Sequence, residues 1–179
     1  VNNGVSLAAL SVNGPITLVT GVSSSGDQTY NGAVTLAGGS YQSPLVIQST
    51  NGDVTMNGTV SAGTGSKAAK RSLTLQGERV TIAGQVGLAV KSMRYGDYKD
   101  TEDTNPWALN VIGDEIYPFA DVTTFEEQRY AGPVFIGDNG TNGFTRTLIS
   151  VDPSVTFTSP IDAVIDGQHS LDVRAYAMP

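Results

Sequence analysis

Apolar positions along the chain fall in short alternating runs rich in β-branched residues and Leu. They read LSV (10–12), ITLVT (16–20), AVTL (33–36), LVIQS (45–49), DVTM (53–56), SLTL (72–75) and RVTIAGQV (79–86). A period of two marks a strand whose side chains face opposite ways in turn. Between the runs stand NG, GG, GDQ and GER, residues that tolerate positive φ and punctuate strands with tight turns. The chain is therefore expected to be all-β. SKAAKRS (66–72) and TTFEEQRY (123–130) have some helical flavour. Both are too short to hold a helix without tertiary help, and they are read as loop or as the start of a strand.

Four phrases recur in order at an offset close to one hundred residues. ALSV (9–12) returns as ALNV (108–111), QTYNGAVTL (28–36) as QRYAGPVFI (128–136), DVTMNGTV (53–60) as SVTFTSPI (154–161), and SLTL (72–75) as SLDV (170–173). The chain thus divides into a first unit over 1–90, an insertion over 91–106 and a second unit over 107–179. Two architectures fit such a unit. One is a pair of β-sandwich modules; the other is a β-solenoid with several short coils in each unit. The shared form of AVTL, DVTM, SLTL and RVTI suits coils in which Val34, Val54, Leu73 and Val80 point inward while Thr35, Thr55, Thr74 and Thr81 point outward. The steps from Val34 to Val54 and from Val54 to Leu73 read as one coil each, and Val80 would open a further face. Tyr30 and Tyr130 hold matching places in the two units and are assigned to structure. Pro118, Pro133, Pro153 and Pro160 belong at corners or on an edge, because proline cannot donate to a strand ladder.

The phrases ALSVNGPITLVTGVSSSGDQTYNGAVTLAGG, GDVTMNGTVSAG, RSLTLQGERVTIAGQVG and VDPSVTFTSPIDAVIDGQHSLDV resemble the repeat arrays of large bacterial surface exoproteins of the filamentous haemagglutinin type. The resemblance spans about residues 5–90 and 107–174. It implies a right-handed parallel β-helix within an elongated adhesin or matrix scaffold, exported by a two-partner or related type V pathway to the surface of a Gram-negative bacterium. Members of that family are poor in cysteine, as this chain is. Where the chain departs from the pattern, KSMRYGDYKDTEDTNP (91–106) sets aromatics and charges in place of a bland Gly/Thr/Ala stretch.

Composition narrows the chemistry. Seventeen Asp and Glu against ten Lys and Arg give a net charge of -7, which leaves no electrostatic footprint for nucleic acid. No run approaches the roughly 20 apolar residues of a membrane span, so membrane insertion is not expected. The start VNNGVSLAAL lacks the basic opening of a signal peptide and reads as a mature chain or an excised fragment. Without cysteine there are no disulfides, thiolate metal sites or cysteine nucleophiles, and a single histidine leaves little for zinc or general-base chemistry.

Within the insertion, Asp97, Asp100, Glu102 and Asp103 offer oxygen ligands for calcium, with Asp114 and Glu115 following. The segment lacks the order of an EF-hand loop, and the competing reading is a solvated acidic loop. GDNGTNG (137–143) raises the same question more weakly. Tyr95, Tyr98 and Trp107 surround the acidic run and could stack on sugar rings or pack on a partner; Trp107 could equally cover the hydrophobic edge of the next coil. His169 stands beside Ser170 and Asp172, but alternate residues of one strand face opposite ways and cannot assemble a triad, so a surface role is expected. Asp121, Glu126, Glu127 and Arg129 are the nearest approach to a glycosidase pair.

The expectation is a non-catalytic structural and adhesive segment of a secreted or cell-surface protein, a rigid spacer with contacts on its loops. Its partners would be host or cell-surface glycans or proteins, or other copies stacked end to end, and calcium is its one candidate cofactor. A self-assembling filament or sheath subunit and a carbohydrate-binding or carbohydrate-active β-helix are the alternatives.

Overall fold

All strand pairings among the described residues are parallel, and the chain returns to each partner after two further strands. The structure, a computed structural model, describes residues 7–63, 69–87, 106–137, 145–150, 154–163 and 169–175. Coil 1 holds β1 (Leu10–Val12), β2 (Ile16–Leu18) and β3 (Val22–Ser24); coil 2 holds β4 (Gln28–Tyr30), β5 (Val34–Leu36) and β6 (Leu45–Ser49). Coil 3 holds β7 (Val54–Met56), β8 (Val60–Ala62) and the first half of β9 (Leu73–Ile82). Coil 4 runs through the second half of β9, a single bridging residue, Val86, and the first half of β10 (Leu109–Pro118). The second half of β10, β11 (Val122–Thr124) and β12 (Gln128–Ala131) make coil 5. Coil 6 is β13 (Val134–Ile136), β14 (Thr145–Ser150) and β15 (Val155–Phe157), and coil 7 begins with β16 (Ile161–Ala163) and β17 (Ser170–Ala175).

Stacking these coils builds three faces. Face 1 runs β1, β4, β7, the second halves of β9 and β10, β13 and β16. Face 2 runs β2, β5, β8, Val86, β11, β14 and β17. Face 3 runs β3, β6, the first halves of β9 and β10, β12 and β15. This is a parallel β-solenoid. An antiparallel sandwich, the alternative that the strand pattern left open, is excluded by the pairing.

The inward rule holds: Val34, Val54, Leu73 and Val80 are fully buried, and Thr35, Thr55 and Thr81 lie half-buried on the outside. The expected coil length does not. Val34, Val54 and Leu73 lie on faces 2, 1 and 3, so steps near twenty residues cross from face to face. Val80 opens no new face but stacks directly on Val54. One turn takes 18 residues from Asn13 to Asn31 and 26 from Asn31 to Asn57. It takes 36 from Arg79 to Glu115.

The turn dipeptides become corner columns. Between faces 1 and 2, Asn57 donates to Asn31 at 2.8 Å and Asn31 to Asn13 at 2.9 Å, an amide ladder parallel to the axis. Gly32 and Gly58, after Asn31 and Asn57, and Gly84 at the same place in coil 4 each lie against the backbone of the coil before: a Cβ on Gly58 would run into the Gly32 carbonyl, and one on Gly84 into that of Gly58. Between faces 3 and 1, the Asp27 carboxylate accepts the Asp53 N–H at 3.0 Å, and Asp53 accepts that of Arg79 at 3.1 Å. Pro133 and Pro160 immediately precede β13 and β16, and Pro118 closes β10, so all three sit where a strand meets a corner; Pro153 lies outside the described residues. Of the two helical candidates, 123–130 forms β11, a corner and β12.

Polar groups enter the core at two places with the same chemistry. Gln28 is fully buried; its Oε1 accepts the Tyr30 hydroxyl at 2.7 Å, and its Nε2 donates to Ser24 Oγ at 2.9 Å and to the Gln48 carbonyl at 2.6 Å. Gln128 repeats the arrangement, with Tyr130 donating at 2.9 Å and Nε2 reaching the Ile149 carbonyl at 2.7 Å. Ser49 Oγ donates to Gly26 O in the first, and Ser150 Oγ to Glu126 O in the second. Burial pushes the Tyr30 hydroxyl up to about 12 and that of Tyr130 higher still. The first knot lies on face 1 and the second on face 3, so the repeated phrases occupy different faces of one solenoid.

Candidate functional site

In coils 2 to 4 insertions fall at one corner; longer connections between faces 1 and 2 come later, from Ile136 to Thr145 and from Ala163 to Ser170. Between faces 2 and 3 the chain leaves the coil after Leu36 and rejoins at Leu45, leaves after Ala62 and rejoins at Leu73, and leaves after Val86 and rejoins at Leu109. In these coils the corner from face 1 to face 2 stays at three residues, as in 31–33, 57–59 and 83–85. The three departures are therefore stacked on consecutive coils along a single edge of the rod.

The described ends of these insertions carry the aromatic side chains of that edge. Trp107, from the corner of coil 4, packs on Phe125 of the next coil with ring centroids 5.8 Å apart, and Lys70 Nζ of the preceding corner lies 4.9 Å from the indole centre. Trp107 N–H donates to the Arg71 carbonyl, and the Glu126 N–H to that of Trp107, both at 2.6 Å. The indole is half-buried and bridges coils in the way the packing reading describes. Tyr41, following Gly39 at φ 80°, projects from coil 2 along the axis, and its hydroxyl donates to Glu127 of coil 5 at 3.3 Å. The Glu127 carboxylate, more than desolvation, raises the Tyr41 phenol above its ordinary range.

Beside this edge the outer surface of face 3 forms a trough. Two outward columns run along it in register: Val46, Thr74, Asn110 and Arg129, then Gln48, Gln76, Ile112 and Ala131. A cavity of about 220 Å³ lies against the first column between Tyr41, Asn110, Glu127 and Arg129. A second, of about 420 Å³, lies against the other column where β9 and β10 bend at Gly77 and Gly113, with Glu78 and Asp114 on its rim. Arg129 donates to Asn110 Oδ1 at 3.2 Å. Thr74, outward-pointing but only 7% exposed, lines the first cavity with Tyr41 and Pro44, which accounts for its departure from its fellow threonines.

On face 1 the outward column ends in rings. Tyr117 stacks on Phe135 with centroids 5.2 Å apart and planes 20° apart, while the Arg79 guanidinium lies 5.6 Å from the Tyr117 ring centre. Arg79 also pairs with Glu115 at 2.8 Å and holds that carboxyl below its usual range. Tyr117 thus spends one face on Phe135 and holds the Arg79 guanidinium near its ring, so the pair serves packing between coils.

Asp97, Asp100, Glu102, Asp103, Tyr95 and Tyr98 lie outside the described residues, as does 138–143. Asp121 sits at the opposite end of β11 from Glu126 and Glu127, where its Oδ1 accepts the Thr147 N–H at 2.9 Å, so the four glycosidase candidates do not converge. His169 is half-buried with its Nδ1 shielded, where a surface position was expected. Its neighbours are engaged elsewhere: Ser170 with Thr145 at 2.7 Å, Asp172 with Arg174 at 2.6 Å. Among the described residues no three Asp, Glu or His side chains gather as a metal site would require. Nothing in the strand pattern singles out Tyr41 or Asn110, and Arg129 stands there only among the weak glycosidase candidates; the signal that joins them is strand register, which places residues of different coils side by side.

Fold and site together define a parallel β-solenoid with one elaborated edge and a polar trough beside it. The chain matches no protein-family model, no curated protein and no solved structure.

Proposed function

We propose that the protein is a non-catalytic structural and adhesive segment of a secreted or cell-surface repeat protein: a rigid rod whose edge loops make the contacts. One observation carries the reading. In coils 2 to 4 the chain lengthens at the same corner each time, while the strands beneath keep their register. A solenoid that only spaces its ends has no use for insertions aligned on one side, whereas a surface assembled from neighbouring loops needs them so. The extracellular placement draws on the likeness of the strand-and-turn phrases to filamentous-haemagglutinin-type exoproteins. The partners are glycans or proteins of a cell surface.

The test compares beads coated with the 179-residue chain and beads coated with a chain whose residues 91–106 are replaced by a Gly/Ser linker of equal length. The first should adhere to cultured epithelial cells, and the second should lose most of that adhesion while keeping its far-UV circular dichroism. Adhesion no greater than that of albumin-coated beads overturns the proposal. A second reading, end-to-end stacking into a filament, is favoured by Ile161 and Val173, which continue the inward columns of Val134 and Leu148 yet are 43% exposed. Electron microscopy separates the two: fibres support stacking, and monodisperse particles speak against it.

A further inference from the structure

The trough on face 3 has a chemistry of its own. The backbone donors and acceptors of β6, β9, β10 and β12 are spent on the parallel ladder. A ligand lying on this face must therefore be read by side chains, which disfavours an extended peptide recognised through its main chain, since that mode needs an open sheet edge. The side chains on offer are planar groups with paired donors or acceptors: the amides of Gln76 and Asn110, the Glu127 carboxylate and the Arg129 guanidinium. Such groups match neighbouring hydroxyls on a ring. Tyr41 overhangs them with an aromatic face, and Ile112 provides an apolar floor between the polar groups.

Extent and charge narrow the ligand further. Both cavities span coils 2 to 5, a length of about 14 Å at the usual spacing of neighbouring strands. The larger, of about 420 Å³, already has the size of an ordinary small-ligand cleft. Arg129 is the one cation lining either cavity, against three carboxylates, on a chain of net charge -7, so sulfated or sialylated polymers are repelled. The Tyr41 to Glu127 hydrogen bond is exposed and, at 3.3 Å, long for an O–H donor, so it opens at small cost to admit a ligand from the side.

We propose that this trough binds a short neutral oligosaccharide laid along the solenoid axis, with Asn110, Glu127 and Arg129 holding its hydroxyls and Tyr41 closing over one ring. The inference goes beyond the adhesive reading, adding a glycan site on face 3 to the contacts made by the edge loops. The test is an array carrying neutral, sialylated and sulfated oligosaccharides, probed with the 179-residue chain, the Asn110→Ala/Arg129→Ala double variant, Tyr41→Ala and the chain with residues 91–106 replaced. Neutral saccharides should bind the parent chain, the double variant should weaken that binding at least tenfold, and the replaced insertion should leave it unchanged. Tyr41 lies in a loop outside the strands, so Tyr41→Ala supplies the same result should the double variant fail to fold. Binding confined to sulfated or sialylated saccharides, or neutral binding that survives the folded trough variants, overturns the proposal. A chain that adheres to cells but binds no neutral saccharide overturns this inference alone; one that binds neutral saccharides but does not adhere overturns the adhesive reading and leaves the trough.

Discussion

Tyr30→Phe tests the buried polar knot that occurs in both halves of the chain. The substitution removes the hydroxyl that donates to Gln28 Oε1 at 2.7 Å and leaves a fully buried amide oxygen without that donor. Such an orphaned group costs about 1–3 kcal/mol. The same hydroxyl also makes stability depend on pH. Its pKa rises from 10.0 to about 12 on folding because burial disfavours the phenolate. The neutral form is thus the one the native state prefers; the stabilisation is complete below pH 10 and is lost as pH climbs from 10 towards 12. By pH 11 the parent chain should have lost about 1.4 kcal/mol through Tyr30. Tyr30→Phe has nothing to ionise there, so its deficit should narrow by that amount between pH 8 and pH 11. Guanidinium unfolding followed by circular dichroism at the two pH values reads both effects. A variant as stable as the parent at pH 8, or one whose deficit stays constant up to pH 11, refutes the account of the knot. Tyr130→Phe should behave likewise, since Tyr130 donates to a buried Gln128 at 2.9 Å.

Gly58→Ala should destabilise the chain by about 1–3 kcal/mol, because the new methyl meets the Gly32 backbone, which cannot rotate away; Gly14→Ala, with nothing within 4 Å of its Cβ position, should change the unfolding midpoint little. Equal effects at the two glycines would show that the corner column is not a close backbone stack. Ile47→Ala, fully buried in coil 2, should cost about 2–5 kcal/mol by chemical denaturation. Val173→Ala, at a side chain 43% exposed, should cost under about 1 kcal/mol.

Strand identity and side-chain direction were legible because each is a local property. Val34 and Thr35 face opposite ways by the pleat alone, whatever coil they belong to. The number of residues in a coil is not local. A coil closes only after its corner between faces 2 and 3, and over coils 1 to 4 that corner grows, so the turn lengthens from 18 to 26 to 36 residues while β1, β2, β4, β5, β7 and β8 all stay three residues long. A step of about twenty residues then resembles one turn and joins three different faces. Trp107 was legible as an aromatic beside an unusual segment. The trough was not, because Tyr41, Asn110 and Arg129 come from three coils and meet only through a register that the strand pattern leaves unspecified.

The displaced repeat shows what the phrases encode. QTY lies on face 1 and its Gln28 reaches back to face 3, at Ser24 and Gln48; QRY lies on face 3 and its Gln128 reaches back to face 2, at Val122 and Ile149. Each glutamine thus contacts the face that precedes its own in the winding. Ser24 and Thr124, four residues before their glutamines, donate to Gly26 O and Glu126 O, two residues before those glutamines. The knot is displaced by one face with its tyrosine-to-glutamine bond, its reach to a carbonyl of the preceding face and its hydroxyl-to-carbonyl bonds kept; only the other Nε2 partner differs, the Ser24 hydroxyl in one and the Val122 carbonyl in the other. That is feasible only if the three faces present nearly the same interior, short parallel strands with apolar residues pointing in. The unit of information is then a strand, the corner before it and a reach into the preceding face. Loops can lengthen at one corner without disturbing this unit, so the same fold keeps a constant core beneath an edge free to vary.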